Sequence, residues 1–134
     1  MRLLACLSFL FFPVFLFSQS KEDGQEPIFE KVDVEASVDA KEWVLHLQKT
    51  LQAPIEKAAK KGMKAGTYTV NVRFLVEKDG SINLVRAENN PGYGLAKAAE
   101  KALRTGPKWK PGEQNGKKVR SYHLQPITFV IQEG

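Results

Sequence analysis

The chain contains one cysteine, Cys6, and two histidines, His46 and His123. A single thiol makes no intrachain disulfide and no cysteine metal site, and this one lies inside an apolar N-terminal run. The histidines fall on separate predicted elements, and neither has a carboxylate or second histidine at ligand spacing. His46 reads as a polar helix-face residue and His123 as a strand residue. Gly92-Tyr93-Gly94 lacks the third glycine and the following lysine of a phosphate loop, and no parallel βαβ unit surrounds it. There is no Gly-x-Ser-x-Gly and no Ser/His/Asp pattern. Glu77 and Asp79 flank a turn and read as solvated. No catalytic residue, metal, cofactor or small-molecule substrate is expected. The chain also lacks internal repeats, and its seven prolines are scattered rather than gathered into a rigid linker.

What is present begins with a targeting signal. Arg2 supplies a positive start, Leu3 to Phe17 is almost wholly apolar, and Ser18-Gln19-Ser20 places small residues where a signal peptidase reads. The apolar run of about 15 residues is short of the ~20 that span a bilayer, and Pro13 interrupts it. Leu3-Leu4-Ala5-Cys6 imitates a lipoprotein box but has no apolar region before it. The reading is a signal peptide over residues 1–20, a leader over 21–36, and one domain over 37–134. An uncleaved membrane anchor is the alternative.

The net charge of +5 falls to +4 without residues 1–20, because Arg2 is the only charge there. Lys57, Lys60, Lys61 and Lys64 gather at one predicted helix end; Lys108, Lys110, Lys117, Lys118 and Arg120 gather near the last strand. Lysine at a helix C-terminus offsets the helix dipole. Export argues against nucleic acid as the partner of these clusters. It leaves an acidic protein segment or an anionic membrane surface.

Along the chain, Ile28, Phe29, Val32 and Val34 form an apolar patch that suits a short extended segment. Asp39 with Glu42 three residues on is a capping-box start. Trp43, Leu47, Leu51, Ile55 and Ala59 then recur on one helical stripe. Pro54 predicts a kink or break near Gln52-Ala53, and Gly62 a C-terminal stop. Tyr68, Val70, Val72, Phe74 and Val76 alternate with polar residues as in a half-buried strand, Leu75 being the exception. Lys78-Asp79-Gly80 makes a tight hairpin, and Ser81 to Glu88 returns as the second strand. Leu95 to Thr105 is a second helix whose alanines permit close packing. Trp109 and Pro111 form a corner that packs over a sheet edge, followed by a polar loop from Gly112 to Lys118. The last strand is Val119 to Ile131. Tyr122 and Leu124 set one phase, Ile127, Phe129 and Ile131 the other. Pro126, where the phase changes, predicts a bulge, an edge-facing proline, or both.

Three segments in this order carry a resemblance. They are Val70-Asn71-Val72-Arg73-Phe74-Leu75-Val76-Glu77-Lys78-Asp79-Gly80-Ser81-Ile82, then Pro107-Lys108-Trp109-Lys110-Pro111-Gly112, then Leu124-Gln125-Pro126-Ile127-Thr128-Phe129. Lys60-Lys61-Gly62 precedes them and Gly116-Lys117-Lys118-Val119 lies between. Over roughly residues 53–131 the chain resembles the C-terminal domain of TonB-type energy transducers, in the variant with a preceding amphipathic helix common in Bacteroidota. The resemblance implies an α+β fold: a small two-layer domain with a three-stranded antiparallel sheet packed against two helices. It also implies a partner, the TonB-box segment of an outer-membrane receptor, captured by β-strand addition in TonB-dependent transport. Carried onto this chain, that strand lies beside Arg120 to Thr128. The expected partner-binding residues are Arg120, Tyr122, His123, Leu124, Gln125 and Thr128. Energy-transducing members also carry a membrane helix and a proline-rich periplasmic stretch. Here the apolar segment is short and only about thirty residues separate it from the domain. The expectation is therefore a periplasmic binding domain, a monomer or a strand-swapped homodimer. Its rivals are an inner-membrane transducer with a short anchor and an unrelated periplasmic protease-inhibitor-like or cell-wall-binding module.

Overall fold

A computed structural model describes residues 26–133. The segment read as a signal peptide lies outside these residues. The elements run β1 (Ile28–Phe29), α1 (Ala40–Lys60), β2 (Gly66–Val76), β3 (Ile82–Ala87), α2 (Leu95–Arg104), β4 (Gly112–Gln114) and β5 (Lys117–Ile131). Two helices lie on one face of a curled mixed sheet of order β1-β5-β2-β3, with β4 paired to β5. This is the expected α+β domain: β5, β2 and β3 are its three antiparallel strands, and β1 and β4 are short additions.

α1 begins where its cap chemistry dictates. Asp39 accepts the Glu42 backbone N–H at 3.0 Å, which satisfies one of the unpaired donors of a first turn. The stripe faces inward: Trp43, Leu51 and Ala58 are buried, with Leu47, Ile55 and Ala59 partly so. The break expected at Pro54 does not occur, and α1 is continuous through it. Proline removes only the bond to the Thr50 carbonyl, on a flank that borders an open groove where water reaches it. Burial of Leu51 and Ala58 on either side holds the two halves together. The helix ends in a Schellman arrangement. Met63 N–H donates to the Ala58 carbonyl and Gly62 N–H to that of Ala59, with Gly62 at φ 100°.

β2 and β5 pair without a slip from Gly66↔Ile131 to Val76↔Ser121. Val70, Val72, Phe74 and Val76 meet Ile127, Phe129 and Ile131 on the helix side, and all are buried. α2 lays Leu95, Ala99, Ala102 and Leu103 on this layer. Burial of each large side chain contributes about 1.5–3 kcal/mol, so this layer is the main source of stability. The hairpin at Asp79-Gly80 does more than turn the chain. A Cβ at Gly80 would stand 2.2 Å from the Trp109 carbonyl oxygen, and Trp109 N–H donates to the Gly80 carbonyl at 3.1 Å. The turn is thus the seat of the Trp109 corner. Trp109 is buried against Phe74, Trp43 and His123, with ring centroids 5.0, 6.0 and 5.1 Å away.

Three expectations need correction. The loop from Gly112 to Lys118 is a hairpin, β4 to β5, turning at Asn115-Gly116 with φ of 52° and 77°. Both angles are positive, as a type I′ turn requires. The leader assigned to residues 21–36 is tied down from Glu26 onward: β1 pairs in parallel with β5, and Val34 and Ser37 bridge to Glu113 and Lys110. Of the two readings at Pro126 the edge-facing proline holds, while the bulge lies elsewhere. The β2–β3 register shifts between Arg73↔Arg86 and Leu75↔Asn83, where Leu84 takes a positive φ of 53°.

Candidate functional site

The backbone directions along β5 follow from one residue of β2. Asn71 N–H donates to Asn89 Oδ1 at 2.8 Å, and the Asn71 carbonyl accepts from Glu88 N–H at 2.8 Å. Both groups therefore point toward β3 and away from β5. Asn71 is opposite Pro126, so this is a non-hydrogen-bonded pair of the antiparallel ladder. Hydrogen bonding alternates along such a ladder. Hence Ser121, His123, Gln125, Ile127, Phe129 and Ile131 spend their N–H and C=O on β2. Tyr122, Leu124, Pro126, Thr128 and Val130 direct theirs to the other side.

That other side is not uniform. At Arg120 and Ser121 it is taken by Ile28 and Phe29 of β1. From Leu124 to Val130 no strand pairs with it among the described residues. Pro126 sits with its missing donor facing outward, which removes no bond from the β2 ladder and satisfies the rule that sheet proline belongs at an edge. Leu124 and Val130 are about half exposed.

The opposite margin of the sheet is closed. β3 carries the Leu84 bulge, which disrupts a pairing edge. Its outward groups are also engaged by α2: Ala87 N–H donates to Glu100 Oε2 at 2.8 Å, and Arg104 Nη2 donates to the Val85 carbonyl at 3.4 Å.

The six residues expected to meet a partner separate into three groups. Leu124 and Thr128 lie on the open row, and Thr128 Oγ1 is 3.3 Å from Thr69 Oγ1. Tyr122 stands at its head, with the Arg73 guanidinium 4.1 Å from its ring centroid. His123 and Gln125 direct their backbone groups to β2. The His123 ring lies by Trp109 and Phe74, with Nδ1 3.5 Å from Glu35 Oε1. Arg120 is engaged within the chain. Its Nε donates to Glu77 Oε1 at 2.7 Å, Nη2 to Glu77 Oε2 at 3.3 Å, and Nη1 to the Glu26 carbonyl at 2.7 Å. Hydrogen bonding from Arg120 holds the Glu77 carboxyl below the ordinary glutamate value, against the opposing effect of burial. Two further ion pairs, Arg73–Glu30 at 2.9 Å and Lys78–Glu26 at 2.7 Å, fasten the N-terminal segment beside the sheet.

Pro126 and Val130 belong to the open row and were not among the expected residues. Val130 shares the period-2 phase of Thr128, so continuing the alternation one step would have found it.

His46, read as a polar helix-face residue, joins the helices: Nε2 donates to the Ala102 carbonyl at 2.9 Å. Among the described residues no group of three or more His, Cys, Asp or Glu is placed to hold a metal ion. No described helix is long and apolar enough to cross a membrane. A family model described as Gram-negative bacterial TonB protein C-terminal matches residues 56–131, from the last turns of α1 to the end of β5. Searches of curated proteins and of solved structures gave no match.

Proposed function

The chain belongs to the family of Gram-negative bacterial TonB protein C-terminal domains, a family of protein-interaction domains, and from that premise we propose that it captures an extended receptor segment by strand addition on β5. Its place is TonB-dependent transport and its setting the cell envelope. The partner is the TonB-box segment of an outer-membrane receptor. The observation that carries this reading is the row from Leu124 to Val130, outward-facing and without a partner strand among the described residues. In such docking the backbone hydrogen bonds supply affinity and the flanking side chains supply selectivity.

On this reading the docking length is short. β1 already occupies Arg120 and Ser121, so an incoming strand engages Leu124, Thr128 and Val130. The acceptor opposite Pro126 goes without a donor. The exposed side chains of Leu124 and Val130 offer apolar contact on the sheet's outer face. In this reading the chain works in the periplasm, released by cleavage after Ser20, as a monomer or a strand-swapped homodimer.

The test is a nuclear magnetic resonance titration of the processed protein with a receptor-plug peptide containing a TonB box. Expected are shifts concentrated at the amides of Leu124, Thr128 and Val130, and loss of binding in Thr128→Pro. Shifts confined to other elements, or none at all, would overturn the assignment.

A further inference from the structure

A second surface lies on the helix layer, away from the open row. α1 and α2 run in opposite senses, and between them is a groove with a volume of about 610 Å³. Lys57 and Lys61 border it from α1, Lys97 and Lys101 from α2, over a floor that includes Ala53, Pro54 and Ala98. Among the described residues no aspartate or glutamate lines it. Tyr93, whose backbone is in the left-handed region at φ 58°, stands about half exposed at its mouth.

The spacing places these side chains deliberately on two facing helix flanks. Residues 50, 53, 54, 57 and 61 share one flank of α1, and 94, 97, 98, 101 and 105 share one flank of α2. Fold stability accounts for only part of the charge. Lys57 sits in the last turn of α1 and Lys61 at its cap, where a cation offsets the dipole. Lys97 sits in the first turn of α2, at the positive end. That helix has no acid in its first turn and no side-chain cap at Gly94. A cation there opposes the dipole. None of the four lysines makes a salt bridge among the described residues.

We propose that this groove binds an acidic segment of a partner protein. The segment's apolar or aromatic side chains rest on the alanine and proline floor, and its carboxylates meet the lysines on both walls. Leu95 N–H is taken by the Gly92 carbonyl, and the next N–H groups of α2, which no side chain at Gly94 caps, add to the attraction for a carboxylate. The shape favours a peptide over a lipid surface. A flat bilayer reaches the rims of a concave groove but leaves its apolar floor uncovered, whereas a peptide fills both. This surface is separate from the β5 row, so the domain can hold two segments at once.

The test uses the whole processed chain and a fluorescein-labelled peptide of alternating glutamates with a central leucine and phenylalanine. Saturable binding is expected, weakening at least about tenfold between about 0.05 M and about 0.3 M salt as the charges are screened. Lys57→Glu with Lys101→Glu lowers the affinity at least about tenfold by reversing charge on both walls. Ala53→Trp fills the floor and abolishes binding with the charges intact. All three positions are exposed, and circular dichroism checks that each variant remains folded. Undiminished binding in these variants, no saturable binding to the wild-type chain, or binding only to vesicles rich in phosphatidylglycerol would each overturn the proposal.

Discussion

At Arg120 and Ser121, β5 is flanked by β1 on the side that, from Leu124 to Val130, carries no partner strand among the described residues, and β4 pairs with it at Lys117–Val119. The same strand thus contains a closed half and an open half. The closed half is shut by pieces distant in sequence: Ile28 and Phe29 pair with it, Glu77 clamps Arg120, and the Trp109 corner packs beneath. The open half rests on equally good core packing, because Ile127, Phe129 and Ile131 are buried. Stability and availability are therefore decided by different atoms. Side chains on the inner face hold the strand in place, and backbone groups of alternate residues are left to pair.

The strongest way to break the comparison is at the corner. Trp109→Ala removes a buried indole that contacts Phe74, Trp43 and His123. It should cost about 3–5 kcal/mol, measured by urea denaturation, and loosen the closed half first. The second test uses proline as a probe of backbone direction. Gln125→Pro deletes an N–H that is spent on β2, leaves a buried acceptor unpaired, and should cost about 2–3 kcal/mol. Thr128→Pro deletes an outward N–H and should change stability by less than about 0.5 kcal/mol while preventing strand addition. Equal costs at the two positions would refute the alternation derived from Asn71.

The third test sharpens the closed half. Glu77→Gln weakens the clamp on Arg120, whose side chains are largely buried at 13% and 23% exposure. The cost should be about 1–2 kcal/mol, as for hydrogen bonds to charged groups. The Glu77 carboxyl is held below its ordinary value in the folded chain. Its contribution is therefore fully present above the unfolded value of about 4.3 and fades as pH falls through the lowered folded value. The variant should lose stability at neutral pH and show a flatter acid limb than the wild type. Amide exchange at Ile28 and Phe29 should quicken with it, extending the open row toward Arg120.

Much of the fold was legible locally. The Asp39 cap, the stripe from Trp43 to Ala59, the β2 alternation, Asp79-Gly80 and Gly62 each announce themselves within a few residues, and each lies where expected. The phase of β5 was harder to read. Tyr122 and Leu124 look like core residues, yet they lie on the outer face, Tyr122 beneath Arg73 and Leu124 about half exposed. Ser121 and His123 look like surface residues, yet they face inward toward the Trp109 corner. Hydrophobicity and burial part company there, which created an apparent phase change at Pro126 where the register is unbroken. Asn115-Gly116 is a strong I′ pair, and the polar residues around it make the hairpin resemble a loop in composition.

Short-range chemistry in the chain determines where helices start and stop, which side chains form the buried layer, and the family to which residues 56–131 belong. It does not determine which side of β5 is free. That outcome depends on Ile28 and Phe29 meeting Arg120 and Ser121 across some ninety residues of sequence, and a two-residue strand has no period to read. Only the folded arrangement brings those segments together, because pairing between distant strands is set by the packed core rather than by local preference.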